Sequence, residues 1–305
     1  MNDKRIKNTA VSVRDRLLAM ARQRGEDFQL LLTQYGLERL LYRLCKSDYR
    51  DRFILKGAML FMLWSDQPHR PTRDVDFLGF GDSSEASLQA IFRELCTVSV
   101  EDDGLILMAD SVQVEIIRDA AEYGGIRVRL FGNLAGARIP IQADIGFGDA
   151  VTPEAREIEY PTLLGSRAPK LKAYPRETVV AEKYQALVHL GLANSRMKDF
   201  YDLWVMAREF DFDGPILSDA IRNTFSCRHT PLPDHTPSGL SAEFHEDAQK
   251  KNHWNAFLRK GALAANPPSL TEVCGLLDRF LLPPTRAAIK ERGFRANWKP
   301  GGPWR

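Results

Sequence analysis

The chain has 305 residues, of which 44% are hydrophobic and 27% are charged, a balance typical of globular proteins. Its 42 lysines and arginines against 40 acidic residues leave a net charge of +2, so bulk charge does not indicate a nucleic-acid-binding protein. The four cysteines are far apart and form no Cys-x-x-Cys pair, which excludes the common zinc and thioredoxin patterns. Because no segment resembles a signal peptide or a membrane span, we expect a cytoplasmic protein without a membrane partner.

The first segment of the chain has leucines at helical spacing. The pattern predicts a helix that ends at Gly25, followed by two shorter helices over residues 28–34 and 37–47. In the last of these helices, Arg39 and Arg43 lie away from the leucine face. We therefore expect both arginines to be solvated.

The next segment predicts a strand, a tight corner and a short helix. Residues 53–55 are typical of a short buried strand. Lys56, Gly57 and Ala58 then form the corner, and residues 58–64 continue as a helix. A glycine corner at the start of a helix suits phosphate oxygens, because backbone N–H groups point outward there.

Two aspartates follow in the stretch RPTRDVDFLGFGD, residues 70–82. Side chains alternate along a strand, so Asp74 and Asp76 share one face while Val75 and Phe77 point into a core. Two neighbouring carboxylates repel each other, and a divalent cation would remove that cost. Mg²⁺ prefers one or two carboxylates together with water and phosphate oxygens. Asp-x-Asp alone is a weak pattern, and a solvated strand face is the alternative.

Three further strands are predicted at residues 112–118, 125–132 and 138–148, the last two joined by a hairpin. In the last strand, Asp144 lies on a face opposite to the apolar residues and is a third acidic position. Glu115 also interrupts an apolar strand and is the competing candidate.

The second half of the chain is predicted to be helical from Arg176 onward. Lys183 lies on the apolar stripe of the first of these helices, where it either snorkels to the surface or serves a function. On the next helix, Asp199 and Asp202 are three residues apart and share a face.

Two features near the C-terminus have competing interpretations. A second Asp-x-Asp pattern, Asp211 and Asp213, precedes Gly-Pro and is interpreted as turn chemistry. Residues 286–305 combine basic residues with aromatic ones, which fits either RNA contact or a tail whose aromatic rings pack on the protein. The aromatic residues are Phe294, Trp298 and Trp304.

These elements together predict nucleotidyl transfer. Three carboxylates can hold two metal ions, of which one binds a triphosphate and the other activates an attacking hydroxyl. A lysine from a following helical region can neutralise phosphate charge. A glycosyltransferase that uses Asp-x-Asp is less favoured, because no long βαβ pattern precedes the motif.

The sequence also resembles a known family, the AbiEii/AbiGii nucleotidyltransferase toxins of the DNA polymerase β-like superfamily. The resemblance runs from about residue 9 to residue 210 and is carried by six stretches: SVRDRLLAMARQRG, YGLERLLYRLCKSDYRDRFILKGAMLF, RPTRDVDFLG, IQADIGFGD, ETVVAEKYQALVHLG and NSRMKDFYDLW. It implies an α/β (α+β) fold in which N-terminal helices and a small mixed-sheet nucleotidyltransferase domain occupy residues 1–168. A helical domain with the basic aromatic tail would occupy residues 169–305.

The resemblance also implies roles for individual residues. Lys183 would meet the triphosphate, and Asp199 would support it from the next helix, a role that Asp202 could hold instead. The corner departs from the Gly-Ser or Gly-Gly of many superfamily members, because alanine follows the glycine here. The implied nucleotide-binding residues are Lys56, Gly57, Ala58 and Lys183. The implied ligands of Mg²⁺ or Mn²⁺ are Asp74, Asp76 and Asp144. The implied catalytic residues are these three aspartates together with Lys183 and Asp199.

The function implied by the resemblance is that of a toxin in a toxin–antitoxin system tied to phage defence. Such a protein would move NMP from an NTP to an acceptor, foremost the 3′ end of tRNA, and so block translation. A cognate antitoxin encoded alongside is the implied partner. Two alternatives remain open, namely a non-catalytic RNA- or protein-binding module on the same fold and nucleotidyl transfer to a protein acceptor.

Overall fold

The structure is a computed structural model that describes residues 8–65, 70–117, 124–261, 263, 268–290 and 293–305. The last residue of the strand predicted at 112–118 and parts of the predicted 65–70 loop and basic tail lie outside the described residues. The chain divides into two compact units, the first from residues 1–66, 72–147 and 157–173, the second from residues 67–71, 148–156 and 174–305. In the described part of the chain, no helix has the length and apolar character that crossing a membrane requires.

A mixed sheet of seven described strands forms the centre of the first unit, in the order β3-β4-β5-β2-β1-β7-β6. Strand β2 pairs with β1 in antiparallel and with β5 in parallel fashion, and β4 pairs antiparallel with both β3 and β5. The sheet confirms the predicted α/β fold class. The strands are β1 (Phe53–Lys56), β2 (Val75–Gly79), β3 (Ile106–Ile117), β4 (Gly125–Leu134), β5 (Ala137–Phe147), β6 (Arg156–Glu159) and β7 (Lys170–Ala173).

The hairpin between β4 and β5 confirms the predicted connection. Its two turn residues, Ala135 and Gly136, have φ values of 48° and 83°. Positive φ at both central positions is the geometry whose twist matches that of the flanking strands. The turn therefore fixes which residues of β4 and β5 lie opposite each other.

Helices accompany the sheet: α1 (Thr9–Arg24), α2 (Phe28–Lys46), α3 (Phe61–Trp64) and α4 (Glu85–Thr97). Gly25 ends α1 with a φ of 66°, as predicted. The prediction of two short helices between residues 28 and 47 was wrong, because α2 is continuous. Gly36 lies inside it, and a Cβ at this position would come within 3.0 Å of Ile139 and 3.2 Å of Ile141 on β5. The missing side chain lets the helix approach the sheet closely.

The expectation that Arg39 and Arg43 are solvated was also wrong. Both are buried, with 2% and 5% of their surface exposed. Arg43 donates two hydrogen bonds to the carboxylate of Asp103, at 2.8 and 3.2 Å, and Arg39 donates one to the backbone carbonyl of Arg167 at 2.9 Å. A buried arginine needs such partners, and periodicity cannot show them.

The second unit is mainly helical, as the sequence predicts for the C-terminal part of the chain. A two-stranded antiparallel pair links Phe212 and Asp213 to Asn297 and Trp298. Its helices are α5 (Arg176–Leu190), α6 (Met197–Glu209), α7 (Gly214–Cys227), α8 (Ala242–His245), α9 (Ala248–Lys260) and α10 (Leu270–Lys290), and its strands are β8 (Phe212–Asp213) and β9 (Asn297–Trp298).

The second Asp-x-Asp pattern has a structural role. The side chain of Asp213 caps α7 by accepting a hydrogen bond from the backbone N–H of Ile216 at 3.0 Å. Asp211 pairs with Lys299 at 3.1 Å on an exposed surface. The interpretation as local turn chemistry is therefore confirmed.

The aromatic residues of the tail pack against the helices of the second unit. Trp298 is 1% exposed, its ring centroid lies 4.9 Å from that of Phe280, and its indole N–H donates to the carbonyl of Ala207. The indole N–H of Trp304 donates to the carbonyl of Phe280 at 2.9 Å. Stacking of RNA bases on Trp298 is thus ruled out in this conformation, and the docking alternative is confirmed.

Candidate active site

In the first unit, five charged residues form one row across five strands of the sheet. From β3 to β1 they are Glu115, Arg127, Asp144, Asp76 and Lys56, and each is the cross-strand partner of the next. Residues in register on neighbouring strands point to the same face of the sheet. The row therefore gathers three residues that the sequence predicts for the site.

The two aspartates at the centre of the row lie side by side on parallel strands. Cross-strand neighbours have Cβ atoms only about 5 Å apart, so two adjacent carboxylates repel each other. Each aspartate has a cationic neighbour in the row, Lys56 beside Asp76 and Arg127 beside Asp144. Lys56 and Arg127 thus offset part of the negative charge of Asp76 and Asp144.

Asp144 is bound by Arg127 through both of its oxygens. The guanidinium Nε lies 2.8 Å from Oδ1 and Nη2 lies 2.7 Å from Oδ2, a bidentate arrangement. Gln142 adds a longer contact to Oδ2 at 3.4 Å. Hydrogen bonding to Asp144 raises the pKa of Arg127, and the charge of Asp74 acts in the same direction.

Asp74 lies one residue before β2 and is half-buried. The hydroxyl of Thr72 donates a hydrogen bond to its Oδ1 at 2.7 Å, which fixes the carboxylate. Within the described residues, no three His, Cys, Asp or Glu side chains are close enough to form a ready metal site. The described residues therefore do not gather Asp74, Asp76 and Asp144 into a three-carboxylate metal site. Asp76 and Asp144 are cross-strand partners, and Asp144 is engaged by Arg127.

The glycine corner lies directly against Asp76. Gly57 has a φ of 76°, and a Cβ on it would lie 1.9 Å from Oδ2 of Asp76. Only glycine fits this position, for both backbone and steric reasons. Lys56 ends β1 and Ala58 begins a short 3₁₀ helix, Ala58–Leu60, so the corner joins the row to that turn.

In the second unit, Lys183 is held by two buried aspartates. Its Nζ lies 2.7 Å from Oδ1 of Asp199 and 2.8 Å from Oδ2 of Asp202. Arg70 binds both oxygens of Asp202 at 2.7 and 2.8 Å, and Arg196 lies 2.7 Å from Oδ2 of Asp199. The sequence left open which aspartate supports the lysine, and the structure shows that both do.

The network keeps Lys183 charged. Burial by itself would lower the pKa of Lys183, but the charges of Asp199 and Asp202 outweigh it and raise that pKa above the ordinary value. Burial would likewise raise the pKa of Asp199, whereas Lys183 and Arg196 bring it below the ordinary value. Lys183 is therefore a positioned cation rather than a snorkelling side chain.

Sequence reasoning missed three arginines, Arg70, Arg127 and Arg196. Arg127 could have been found, because a two-residue turn that pairs Leu134 with Ala137 also pairs Arg127 with Asp144. Arg196 precedes Asp199 by one helical turn, which is a spacing that brings side chains together. Arg70 has no such local signal, since its partner Asp202 is 132 residues away.

The chain matches the model of a known protein family. A family model described as the nucleotidyl transferase AbiEii toxin of type IV toxin–antitoxin systems matches residues 39–276. The chain belongs to the AbiEii family. The match covers most of the chain, including the charged row, the glycine corner and the Lys183 network, and it confirms the predicted resemblance.

As an AbiEii-family member, the protein is a toxin-type nucleotidyltransferase of a type IV toxin–antitoxin system. Family membership implies an NTP substrate, a cognate antitoxin and, as is typical of nucleotidyltransferases, a divalent metal ion.

Two solved structures from Helicobacter pylori are similar to this AbiEii-family chain. The crystal structure of JHP933 has 15% sequence identity and a TM-score of 0.49, and the match covers 87% of this chain and 95% of that one. A second structure, provisionally described as a nucleotidyltransferase, has 14% identity and a TM-score of 0.48 over 87% of this chain and 98% of that one. A comparison with curated proteins gives no match.

Proposed function

We propose that this AbiEii-family toxin is a Mg²⁺-dependent nucleotidyltransferase that moves NMP from an NTP to RNA in the cytoplasm. The acceptor we propose is the 3′ end of tRNA, whose modification would block aminoacylation and stop translation during phage infection. The observation that supports catalysis is the central pair of the row, Asp76 beside Asp144, with the backbone of Gly57 against it.

The residues present fit a divalent cation. Asp74, Asp76 and Asp144 supply carboxylate oxygens, the donors that Mg²⁺ and Mn²⁺ prefer, and the missing Cβ of Gly57 leaves room for the carboxylate of Asp76. Asp76 and Asp144 would hold the metal together with water and phosphate oxygens, and Asp74 would have to move toward them to become the third ligand. When bound, it would offset triphosphate charge and make the acceptor hydroxyl a better nucleophile.

The chain's own groups would bind and orient the reactants. Lys183, held charged by two aspartates, would bind triphosphate oxygens, and Lys56 with the backbone at Gly57 and Ala58 would contact the nucleotide. The acceptor hydroxyl would release its proton to solvent and its oxygen would attack the α-phosphorus. The bond from that phosphorus to the oxygen bridging to the β-phosphorus would break, and pyrophosphate would leave. Asp144 would help orient the acceptor hydroxyl.

The test compares Asp76 with Asp213, the second aspartate in each of the two Asp-x-Asp patterns of the chain. Wild type, Asp76→Asn and Asp213→Asn are incubated with each α-labelled NTP, Mg²⁺ and bacterial tRNA. Asparagine retains the side-chain oxygen that caps α7 at position 213, so this control changes the charge but not the cap. We expect label in tRNA from wild type and Asp213→Asn, and at least about a hundredfold less from Asp76→Asn, because the electrostatic stabilisation supplied through this ligand is lost.

Each outcome decides between the functions. Transfer by Asp76→Asn at the wild-type rate would remove this residue from the metal site. Label in protein rather than RNA would identify a protein acceptor. No transfer from any NTP, with RNA retained on the wild-type protein in a filter-binding assay, would favour the non-catalytic binding module.

A further inference from the structure

The bidentate contact of Arg127 with Asp144 has a consequence for metal binding. Arg127 contacts both oxygens of Asp144, at 2.8 and 2.7 Å, and both side chains are only partly exposed. A carboxylate has about four lone-pair sites, and a bidentate arginine uses one on each oxygen. About two sites remain, so a cation can reach Asp144 beside the guanidinium, but a cation that needs a site held by Arg127 must displace it.

Charge opposes simultaneous binding as well. A guanidinium and a divalent cation on the same carboxylate repel each other over a few ångströms, and this repulsion is not screened by salt at such short range. Without a metal ion, however, Arg127 offsets the charge of Asp144 beside Asp76. The arginine therefore favours the metal-free arrangement of the row.

We propose that Arg127 is a positioning residue that competes with the divalent cation for Asp144. The cation binds more weakly at Asp76 and Asp144 while the guanidinium of Arg127 remains on Asp144. This inference rests on the proposed function, because it takes Asp144 as a metal ligand. Arg127 of β4 would therefore limit metal binding although it is not itself one of the acidic ligands.

Arg129 provides a matched control on the same strand. It lies two residues from Arg127 and therefore on the same face of the sheet, but it pairs with Glu115 at 2.9 Å and not with Asp144. Arg129→Gln removes the same charge at nearly the same place. Arg127→Lys keeps the charge but cannot form the bidentate contact, so it separates direct competition from long-range repulsion.

The experiment measures Mn²⁺ binding by electron paramagnetic resonance, without nucleotide or RNA. Wild type, Arg127→Gln, Arg127→Lys, Arg129→Gln, Asp144→Asn and the double variant Arg127→Gln/Asp144→Asn are compared, each checked for folding by far-UV circular dichroism. We expect Arg127→Gln to bind Mn²⁺ about fivefold to tenfold more tightly than wild type, the equivalent of losing one well-formed ion pair. Arg127→Lys should lie between, and Arg129→Gln should match wild type.

The double variant tests whether Arg127 acts through Asp144. With asparagine at position 144, replacement of Arg127 should no longer tighten Mn²⁺ binding, because the contested carboxylate is gone. Equal tightening with and without Asp144, or equal tightening in Arg127→Gln and Arg129→Gln, would overturn the inference while the proposed function stands. Absence of Mn²⁺ binding in all variants would overturn the inference, whereas the proposed function is decided separately by transfer of label to tRNA.

Discussion

At the scale of single residues, the site of the first unit depends on the contact between the Gly57 backbone and the Asp76 carboxylate. We predict that Gly57→Ala lowers nucleotidyl transfer by at least about tenfold. The added Cβ would lie 1.9 Å from Oδ2 of Asp76, which is too close, so the carboxylate would have to move. Transfer to RNA and the free energy of unfolding are both measured.

Gly81 is the matched control for this substitution. It also has a positive φ, 82°, but a Cβ there would lie 3.4 Å from its nearest neighbour, the guanidinium of Arg52. Gly81→Ala should cost about 1 kcal/mol of stability through backbone strain while transfer is retained. Equal losses of transfer in the two variants would show that backbone strain alone, and not the contact with Asp76, explains the effect.

Residue identities could be predicted from sequence more readily than their contacts. Asp76 and Asp144 stand out because each interrupts an apolar strand, and Lys183 because it lies on an apolar stripe. Their partners depend on strand register and on distant packing. Arg70 and Lys183 meet at Asp202 although Arg70 is far away in sequence, and no local pattern encodes this contact.

At the scale of elements, the tail shows how packing decides between two uses of aromatic residues. We predict that Trp298→Ala lowers the free energy of unfolding by about 3–5 kcal/mol, because Trp298 is almost fully buried against Phe280. Urea denaturation followed by circular dichroism measures this change. Lys299→Ala is the control, since its exposed pair with Asp211 should contribute less than about 1 kcal/mol. A Trp298 effect no larger than that of Lys299 would contradict the docked tail.

Long strands and helices with a strong hydrophobic periodicity could be predicted from the sequence, whereas short strands rich in charged residues could not. The hairpin of β4 and β5 follows from alternation and turn residues. Strands β6 and β7, with the sequences REIE and KLKA, are four residues each and carry charged residues, so no apolar run marks them. The sequence predicts two helices where α2 is continuous, and periodicity does not show the close packing of Gly36 against β5 that lies within this helix.

At the scale of the whole molecule, a buried carboxyl links two distant parts of the first unit. Glu38 of α2 is 2% exposed, and its Oε2 accepts a hydrogen bond at 2.7 Å from the backbone N–H of Leu163, which is 125 residues away. Its Oε1 lies 3.4 Å from Nε of Arg39, without a hydrogen bond. Burial raises the pKa of Glu38 from 4.5 to about 7, because the long contact with Arg39 and the bond from Leu163 only partly offset desolvation.

This shift predicts how global stability depends on pH. Between pH 4.5 and 7, Glu38 is protonated in the folded state but ionised in the unfolded state, so the folded state binds more protons. Stability should therefore fall as pH rises through this window, by about 3 kcal/mol in total from this group. Because the bond to Leu163 closes a long loop, we expect the effect in global unfolding rather than in local fraying.

Glu38→Gln removes the titrating group and keeps an oxygen that can accept from Leu163. Urea denaturation between pH 4.5 and 8 should show that the variant loses less stability across the window than wild type, by about the amount assigned to Glu38. Glu85→Gln, an exposed change in the first turn of α4, should leave the wild-type slope unchanged. Parallel curves for wild type and Glu38→Gln would mean that Arg39 stabilises the carboxylate despite its burial. A flatter curve for Glu38→Gln alone would identify the junction of α2 with Leu163 as a source of the pH dependence of folding.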